Sequence, residues 1–262
     1  ADLNDINMID PFHLEAYGET TVNYNRDVEI FPVLNTIFEK IYGESPYKSP
    51  TDMGVNMAGN CICDDEACRE ASKQEIIRRY FDALNALAKG STSEKEAQKI
   101  ELLMNMAGIT VTDRKVVIKA LERAKETDGP AAALELRDGR IITGKTTNLL
   151  GASAALLLNV LKVLAGIDHE THIISPESIE PIQKLKVDYL KSKNPRLHTD
   201  EVLIALSASA ATNPQARLAL SQLPELAGCQ AHTSVMLSDV DIKIFKKLEV
   251  QLTSEAVYEH AL

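Results

Sequence analysis

The sequence has no tryptophan and few other aromatic residues, with 5 Phe and 7 Tyr among 262 positions. The core must therefore consist mainly of Leu, Ile, Val and Ala. Basic residues are also few, at 28 against 38 acidic ones, which gives a formal net charge of -10 at pH 7. The chain has no dense basic run and no mixture of aromatic with basic residues. The composition therefore argues against a nucleic acid partner.

Cysteines and long apolar runs are scarce as well. Four cysteines in a chain of this length do not make a disulfide framework. The most apolar stretch, residues 152–167, contains Asn159 and Lys162 and is too short to span a bilayer. Residues 1–5 have neither a basic region nor an apolar run, so they do not form a secretory signal. We therefore expect no membrane partner and a cytoplasmic location.

Helical periodicity dominates the chain, and the sequence predicts a helix-rich α/β fold. Residues 65–89 carry apolar side chains at i, i+3 and i+4 and form the clearest helix. Two shorter helices are predicted next, over residues 94–106 and after a capping Thr112. We therefore predict an irregular and helical segment over 1–60, a three-helix segment over 61–129 and an α/β lobe over 130–262.

The lobe is predicted to hold a small mixed sheet with helices packed on it. Helices are expected over residues 152–165, 176–190, 199–211 and 238–248, and strands over 171–174, 234–237 and 250–253. The last helix and the strands on either side of it predict a β-α-β unit. Its two strands would be parallel and buried on both faces.

One segment of the lobe, Gly139 to Thr146, matches the pattern G-x-x-x-x-G-K-T, the Walker A motif of nucleotide-binding proteins. A phosphate-binding loop needs a buried strand before it and a helix that begins at the lysine. Here Asp138-Gly139 separates two alternating runs, which is the signature of a tight hairpin. The next convincing helix begins only near Ala152. The sequence thus predicts a hairpin rather than a phosphate-binding loop.

Five stretches resemble a bacterial family of uncharacterised proteins that carries only a domain-of-unknown-function label. They are residues 9–15, 22–27, 49–57, 71–80 and 194–198, with the sequences IDPFHLE, VNYNRD, SPTDMGVNM, ASKQEIIRRY and NPRLH. The chain looks like the C-terminal half of this family, so the resemblance implies that Ala1 is an internal residue. It also implies a missing N-terminal half that is Rossmann-like and holds a Gly-rich loop with a lysine.

Some members of the family carry the label of an ATP-dependent zinc protease. The sequence gives this label no support, because it contains no H-E-x-x-H motif. His169 and His172 are one position too close, and a strand at that place would separate their imidazoles. The resemblance therefore implies neither a cofactor nor a reaction.

The first candidate site is the segment from Asn194 to Glu201. Arg196 and His198 lie just before a predicted helix that Thr199 would cap, where an anion such as phosphate is favoured. In the alternative, Asp200 and Glu201 already supply the negative charge and Arg196 pairs with them. Both interpretations remain open from the sequence.

The second candidate is His232 with Ser234, directly before the β-α-β unit. Ligands of α/β layers gather at strand ends, where His232 could act as a catalytic base and Ser234 as a hydrogen-bond donor to a cofactor. The alternative is a capped loop exposed to solvent.

A third cluster consists of Cys61, Cys63 and Cys68, which could bind zinc with His13 or a water as the fourth ligand. The absence of C-x-x-C pairs favours a purely structural role. A polar N-terminal segment could also line a cleft with the missing half. Its residues are Asp10, His13, Tyr24, Arg26, Asp27, Asp52 and Asn56.

The sequence leaves open whether this protein is an enzyme. The leading hypothesis is a protein that binds a phosphorylated or nucleotide ligand together with its missing half. The alternative is a non-catalytic scaffold in which Ala-rich helices pair between the copies of a homo-oligomer. A zinc-dependent protease is the third hypothesis.

Overall fold

The computed structural model describes residues 7–8, 22–23, 25–45 and 65–259. The chain forms two compact units, residues 1–114 and 115–262. The prediction of a helix-rich α/β protein with a small mixed sheet is confirmed. The boundary between the units lies between Arg114 and Lys115, whereas the sequence placed boundaries near residues 60 and 129; the division into three segments stays a prediction.

The first unit is mainly helical. A short strand, β1 (Asn7–Met8), pairs antiparallel with β2 (Val22–Asn23). The helices are α1 (Asn25–Tyr42), α2 (Asp65–Ala88) and α3 (Glu94–Ala107), followed by a 3-10 turn at Val111–Asp113. Thr110, rather than Thr112, makes the capping box at this turn. Helix α2 buries Ile76, Ile77 and Phe81, in agreement with its predicted apolar stripe.

The second unit is built on a four-stranded sheet in the order β4-β3-β5-β6. The strands are β3 (Ala131–Glu135), β4 (Ile141–Lys145), β5 (Gln230–Thr233) and β6 (Gln251–Ser254). Strand β3 is antiparallel to both β4 and β5, while β5 and β6 are parallel. The predicted parallel β-α-β unit is therefore present. Its first strand lies four residues earlier than predicted.

Helices cover both faces of this sheet. Helix α4 (Lys115–Thr127) packs through Val116 and Ala120 on Ala133 of β3. Successive residues of a strand face opposite sides, so Ala132 and Leu134 lie on the other face. There they join the main core with helix α5 (Ala152–Leu164), whose residues are almost all buried.

Four further helices follow α5 along the chain before the last strand. They are α6 (Pro176–Lys184), which continues into a π-helical turn at Leu185–Tyr189, α7 (Thr199–Ser209), α8 (Pro214–Leu220) and α9 (Asp239–Lys247). A 3-10 turn at Leu223–Leu226 precedes β5. The predicted strand at 171–174 is wrong, because these residues form a loop after α5. Within the described ranges, none of the helices combines the length and the apolarity that crossing a bilayer requires.

The hairpin prediction at the Walker-like segment is confirmed. Strands β3 and β4 pair from Ala131–Lys145 to Glu135–Ile141, and a tight loop joins them. The amide of Leu136 donates to the carbonyl of Arg140 at 2.9 Å, and the amide of Gly139 donates to the carbonyl of Leu136 at 2.9 Å. Gly139 has φ +82, which suits the left-handed position of this loop type.

Candidate functional site

Polar side chains converge where the parallel strands of the second unit end. Strand β5 ends at Thr233, β6 ends at Ser254, and α9 begins just after β5. In open α/β sheets this edge is where ligands bind. We name it the carboxyl edge and define it by six residues, which are Arg196, His198, His232, Asp241, Glu255 and Glu259.

Asp241 is the centre of the hydrogen-bond network at this edge. It lies in the first turn of α9, where Ser238 is the N-cap, and it is only 3% exposed. Its Oδ1 accepts from the amide of Thr199 at 2.9 Å and from the Thr199 hydroxyl at 2.8 Å. Its Oδ2 accepts from the hydroxyl of Ser238 at 2.7 Å and lies 3.0 Å from Nδ1 of His198. Asp241 thereby joins the beginning of α7 to the beginning of α9.

This network fixes the charge of Asp241. Burial acts to raise the pKa of its carboxyl group, but hydrogen bonds from His198, Thr199 and Ser238 outweigh burial and lower the pKa to about 2. Asp241 is therefore an ionised carboxylate at neutral pH, and it can only accept hydrogen bonds. Consequently Nδ1 of His198 carries a hydrogen and donates it to Asp241.

His198 is the N-cap residue of α7, and its side chain is 31% exposed. The hydrogen bond to Asp241 is the main reason that the pKa of His198 is raised, while burial partly opposes the shift. The side chain of His198 also takes part in a capping box with Glu201, and its contact with Asp241 uses Nδ1 rather than Nε2. A histidine whose Nδ1 is held by a carboxylate and whose Nε2 is accessible has the arrangement of a general base or acid.

Backbone contacts hold the segment around His198 in place. Leu197 is buried and forms an isolated parallel bridge with Leu150. Lys186, also buried, donates to the carbonyl of Arg196 at 2.6 Å and to Oε2 of Glu201 at 2.7 Å. Glu201 in turn accepts from the amide of His198 at 2.8 Å. The main chain carrying the imidazole is thus fixed from both sides.

The side chain of Arg196 is held less firmly than its main chain. Its Nη1 lies 2.6 Å from Oε1 of Glu259, and the two side chains are 25% and 37% exposed. Neither Asp200 nor Glu201 pairs with Arg196, in contrast to the structural alternative that the sequence left open. Exposed ion pairs of this kind contribute ~0–1 kcal/mol, so Arg196 can readily exchange its partner.

His232 lies within β5 and is completely buried, not in a solvent-exposed loop. Its Nδ1 lies 2.8 Å from the hydroxyl of Thr253 on the neighbouring strand, and its Nε2 lies 3.3 Å from Oε1 of Glu255. Ser234 accepts from the amide of Ala131 at 2.9 Å. The structure therefore places His232 and Ser234 in contacts that join strands, and His232 also contacts Glu255 of the carboxyl edge.

Several other predicted site residues lie outside the described part of the chain, among them Asp10, Tyr24, Asp52 and Asn56. Cys61, Cys63 and His13 lie outside the described residues; Cys68 belongs to α2, but its side chain is not described. His169 and His172 lie in the exposed loop after α5. In the part of the chain that the structure describes, no group of three or more His, Cys, Asp or Glu could hold a metal ion.

Sequence reasoning missed three residues of the carboxyl edge, and it also missed Lys186, which holds the adjoining main chain. Asp241 has a signal, because Ser238-x-x-Asp241 is a variant of the capping pattern at the beginning of a helix. Lys186, Glu255 and Glu259 have none, since their partners are 15, 23 and 63 positions away.

The chain matches two adjoining family models. The model for the N-terminal part of the domain of unknown function DUF1846 matches residues 1–108, and the model for its C-terminal part matches residues 112–262. Since both models match, the prediction of a C-terminal half is not borne out. Neither description names an activity or a metal, so they add no support for a zinc protease.

Similar proteins occur in several bacteria. A UPF0371 protein of Corynebacterium urealyticum is 59% identical over 258 residues, which are 98% of this chain and 52% of that protein. A UPF0371 protein of Corynebacterium aurimucosum is 60% identical over 257 residues, with the same coverage of 98% and 52%. One of Streptococcus thermophilus is 55% identical over 260 residues, 99% of this chain and 53% of that protein. The chain spans about half the length of the curated relatives it matches.

Proposed function

We propose that this chain, which belongs to the DUF1846 family, binds a small anionic ligand at the carboxyl edge and exchanges a proton with it through His198. The observation that carries this proposal is the His198–Asp241 pair. Its carboxylate is buried and ionised, and its imidazole is half-exposed. Asp241 is the positioning residue, because it fixes the tautomer and the orientation of the ring.

The anionic nature of the ligand follows from Arg196. Its guanidinium group lies two residues from His198, and among the described residues its ion pair is with the weakly held, half-exposed carboxylate of Glu259. Guanidinium groups bind carboxylates and phosphates with two parallel hydrogen bonds. Glu259 accepts one hydrogen bond from Arg196. A phosphorylated or nucleotide ligand therefore fits this site.

Calorimetric titration of the protein with ATP, with and without magnesium, and with inorganic phosphate tests this proposal. Repeating each titration in buffers of different ionisation enthalpy gives the number of protons exchanged on binding. We expect proton exchange in the unmodified protein and in His172→Ala, an exposed control, and its loss in His198→Gln. Arg196→Ala should abolish binding. Binding that neither His198→Gln nor Arg196→Ala alters would refute the proposal.

A second function, assembly of copies, is favoured by the surface of α1. Val33, Ile37 and Ile41 lie four residues apart on one face of this helix and are 55%, 44% and 64% exposed. The Ala-rich helix α5 is buried in the core, so pairing through that helix would require unfolding. Size-exclusion chromatography with light scattering measures the oligomeric state of the unmodified protein and of Ile37→Asp. Assembly through α1 predicts an oligomer in the first and a monomer in the second. A monomer in both cases would eliminate assembly through α1.

A further inference from the structure

We propose that residues 255–259 form a strap at the carboxyl edge. In this proposal the carboxylate of Glu259 stays paired with the guanidinium group of Arg196 until an anionic ligand displaces it. This inference rests on the proposed function and adds its regulation. It also narrows the ligand to one that presents a carboxylate or phosphate to Arg196 and a protonatable group to His198.

The beginning of the strap is firmly attached to the sheet. The amide of Glu255 donates to the carbonyl of Thr233 at 2.9 Å, which extends the pairing of β5 with β6 by one residue. Its side chain reaches the buried His232. Two residues later, the carbonyl of Val257 accepts from the amide of Met236 at 2.8 Å. The strap therefore crosses the loop between β5 and α9 in a fixed position.

The end of the strap is much more exposed. Val257 and Tyr258 are 52% and 56% exposed. Among the described residues, the side chain of Glu259 makes its ion pair with Arg196, at 2.6 Å. A contact between two half-exposed side chains is weak, so the end of the strap can leave Arg196 without disturbing its beginning.

Arg196 offers more hydrogen bonds than Glu259 uses. The guanidinium group has five N–H donors, and only Nη1 donates to Glu259. Within the described ranges, Nε and Nη2 of Arg196 contact no acceptor. A carboxylate or phosphate that approaches the edge of the guanidinium group can accept two parallel hydrogen bonds, and it thereby displaces an intramolecular partner that accepts one.

The test compares Glu259→Gln with Glu180→Gln in this protein. Both substitutions remove one negative charge, but Glu180 is an exposed residue of α6, and the ion pair of Arg196 is with Glu259. The probes are inorganic phosphate and succinate, and their dissociation constants follow from NMR shifts of the Arg196 Nε–H group and the His198 ring. We expect Glu259→Gln to bind both probes about two- to fivefold more tightly, the range set by the strength of an exposed ion pair. Glu180→Gln should bind them as the unmodified protein does.

The outcomes separate the strap from the proposed function. If Glu259→Gln and the unmodified protein bind equally while Arg196→Ala binds neither probe, the strap is refuted and the proposed site stands. If Arg196→Ala binds the probes normally, the proposed site itself is refuted. If neither probe binds Glu259→Gln even at tens of millimolar, the strap is refuted as well, because removal of the competitor has exposed no anion site.

Discussion

Two regions of the second unit carry residues that the sequence associates with phosphate binding. In the first the motif residues form a hairpin, and in the second charged side chains come together. The segment 139–146 has the spacing of a nucleotide-binding motif, but its two glycines serve the hairpin loop and the packing of a helix on a strand. The carboxyl edge matches no motif, yet its charged side chains come from four separate parts of the chain and converge. Convergence of side chains, rather than spacing along the chain, therefore distinguishes the stronger candidate site.

The glycines of the segment 139–146 show this difference. Gly139 occupies the left-handed position of the hairpin loop. Gly144 is buried where helix α5 crosses strand β4, and a Cβ atom there would lie 2.2 Å from the amide nitrogen of Leu156. Asn159 of α5 also donates to the carbonyl of Thr143 at 2.9 Å. Gly144 is thus required for contact between helix and strand, and not for contact with phosphate.

The largest effect that we predict is from Gly144→Ala. A methyl group cannot fit against the backbone of Leu156, so α5 must move away from the sheet and the main core must loosen. We expect a loss of at least about 2–3 kcal/mol of unfolding free energy, in the range of severe overpacking. Urea denaturation measures it, with Gly129→Ala as control, because a Cβ at Gly129 meets only an ordinary contact at 3.8 Å. Equal stability of the two variants would contradict the close packing of α5 on β4.

The second effect concerns Asp241→Asn at the carboxyl edge. Folding lowers the pKa of Asp241 from its ordinary value of 3.8 to about 2. Because the pKa is lower in the folded protein, the carboxylate stabilises the fold above pH 4, and this stabilisation disappears as the pH falls through 2. The shift corresponds to about 2 kcal/mol.

Denaturation as a function of pH measures this contribution. We expect Asp241→Asn to be less stable than the unmodified protein at pH 6, with the difference shrinking towards pH 2. Asp239→Asn changes an exposed residue in the same first turn of α9 and is the matched control. If the stability difference between Asp241→Asn and the unmodified protein did not depend on pH, the hydrogen bonds would not lower the pKa of Asp241.

A third and smaller effect is the titration of His198. Its pKa is raised above 6.5, mainly by the hydrogen bond to Asp241. Because folding raises this pKa, protonated His198 stabilises the protein fully below pH 6.5, and the contribution is lost as the pH rises through the folded value. NMR titration of the ring should give a midpoint above 6.5 in the unmodified protein and in Asp239→Asn, and a lower midpoint in Asp241→Asn. An identical midpoint in all three proteins would show that Asp241 does not raise the pKa of His198.

Local patterns predicted much of the second unit because its elements have strong local signals. The Asp138-Gly139 turn, the apolar helix α5 and the amphipathic helix α9 are all confirmed within two residues. The strand at 171–174 is wrong because a short β-branched run has no partner in the sheet, a fact that sequence alone does not show. For the site, the sequence found Arg196, His198 and His232 as polar residues near element ends. It missed Asp241 and Glu259, since only folding brings these carboxylates to the histidine and the arginine.

The smallest effect that we predict, and the one that tests the comparison most directly, is from Lys145→Ala. Lys145 is exposed at the end of β4, and the amide of Thr146 already donates to the carbonyl of Pro130 at 2.8 Å. Helix α5 begins seven positions later, at Ala152, so its amides do not face Lys145. A surface substitution of this kind changes stability by no more than about 0.5 kcal/mol. We also expect it to leave the affinity for ATP unchanged, whereas Arg196→Ala removes binding. If Lys145→Ala removed ATP binding and Arg196→Ala did not, the nucleotide site would lie at the hairpin and not at the carboxyl edge. The hairpin would then have to open into a phosphate-binding loop when nucleotide binds.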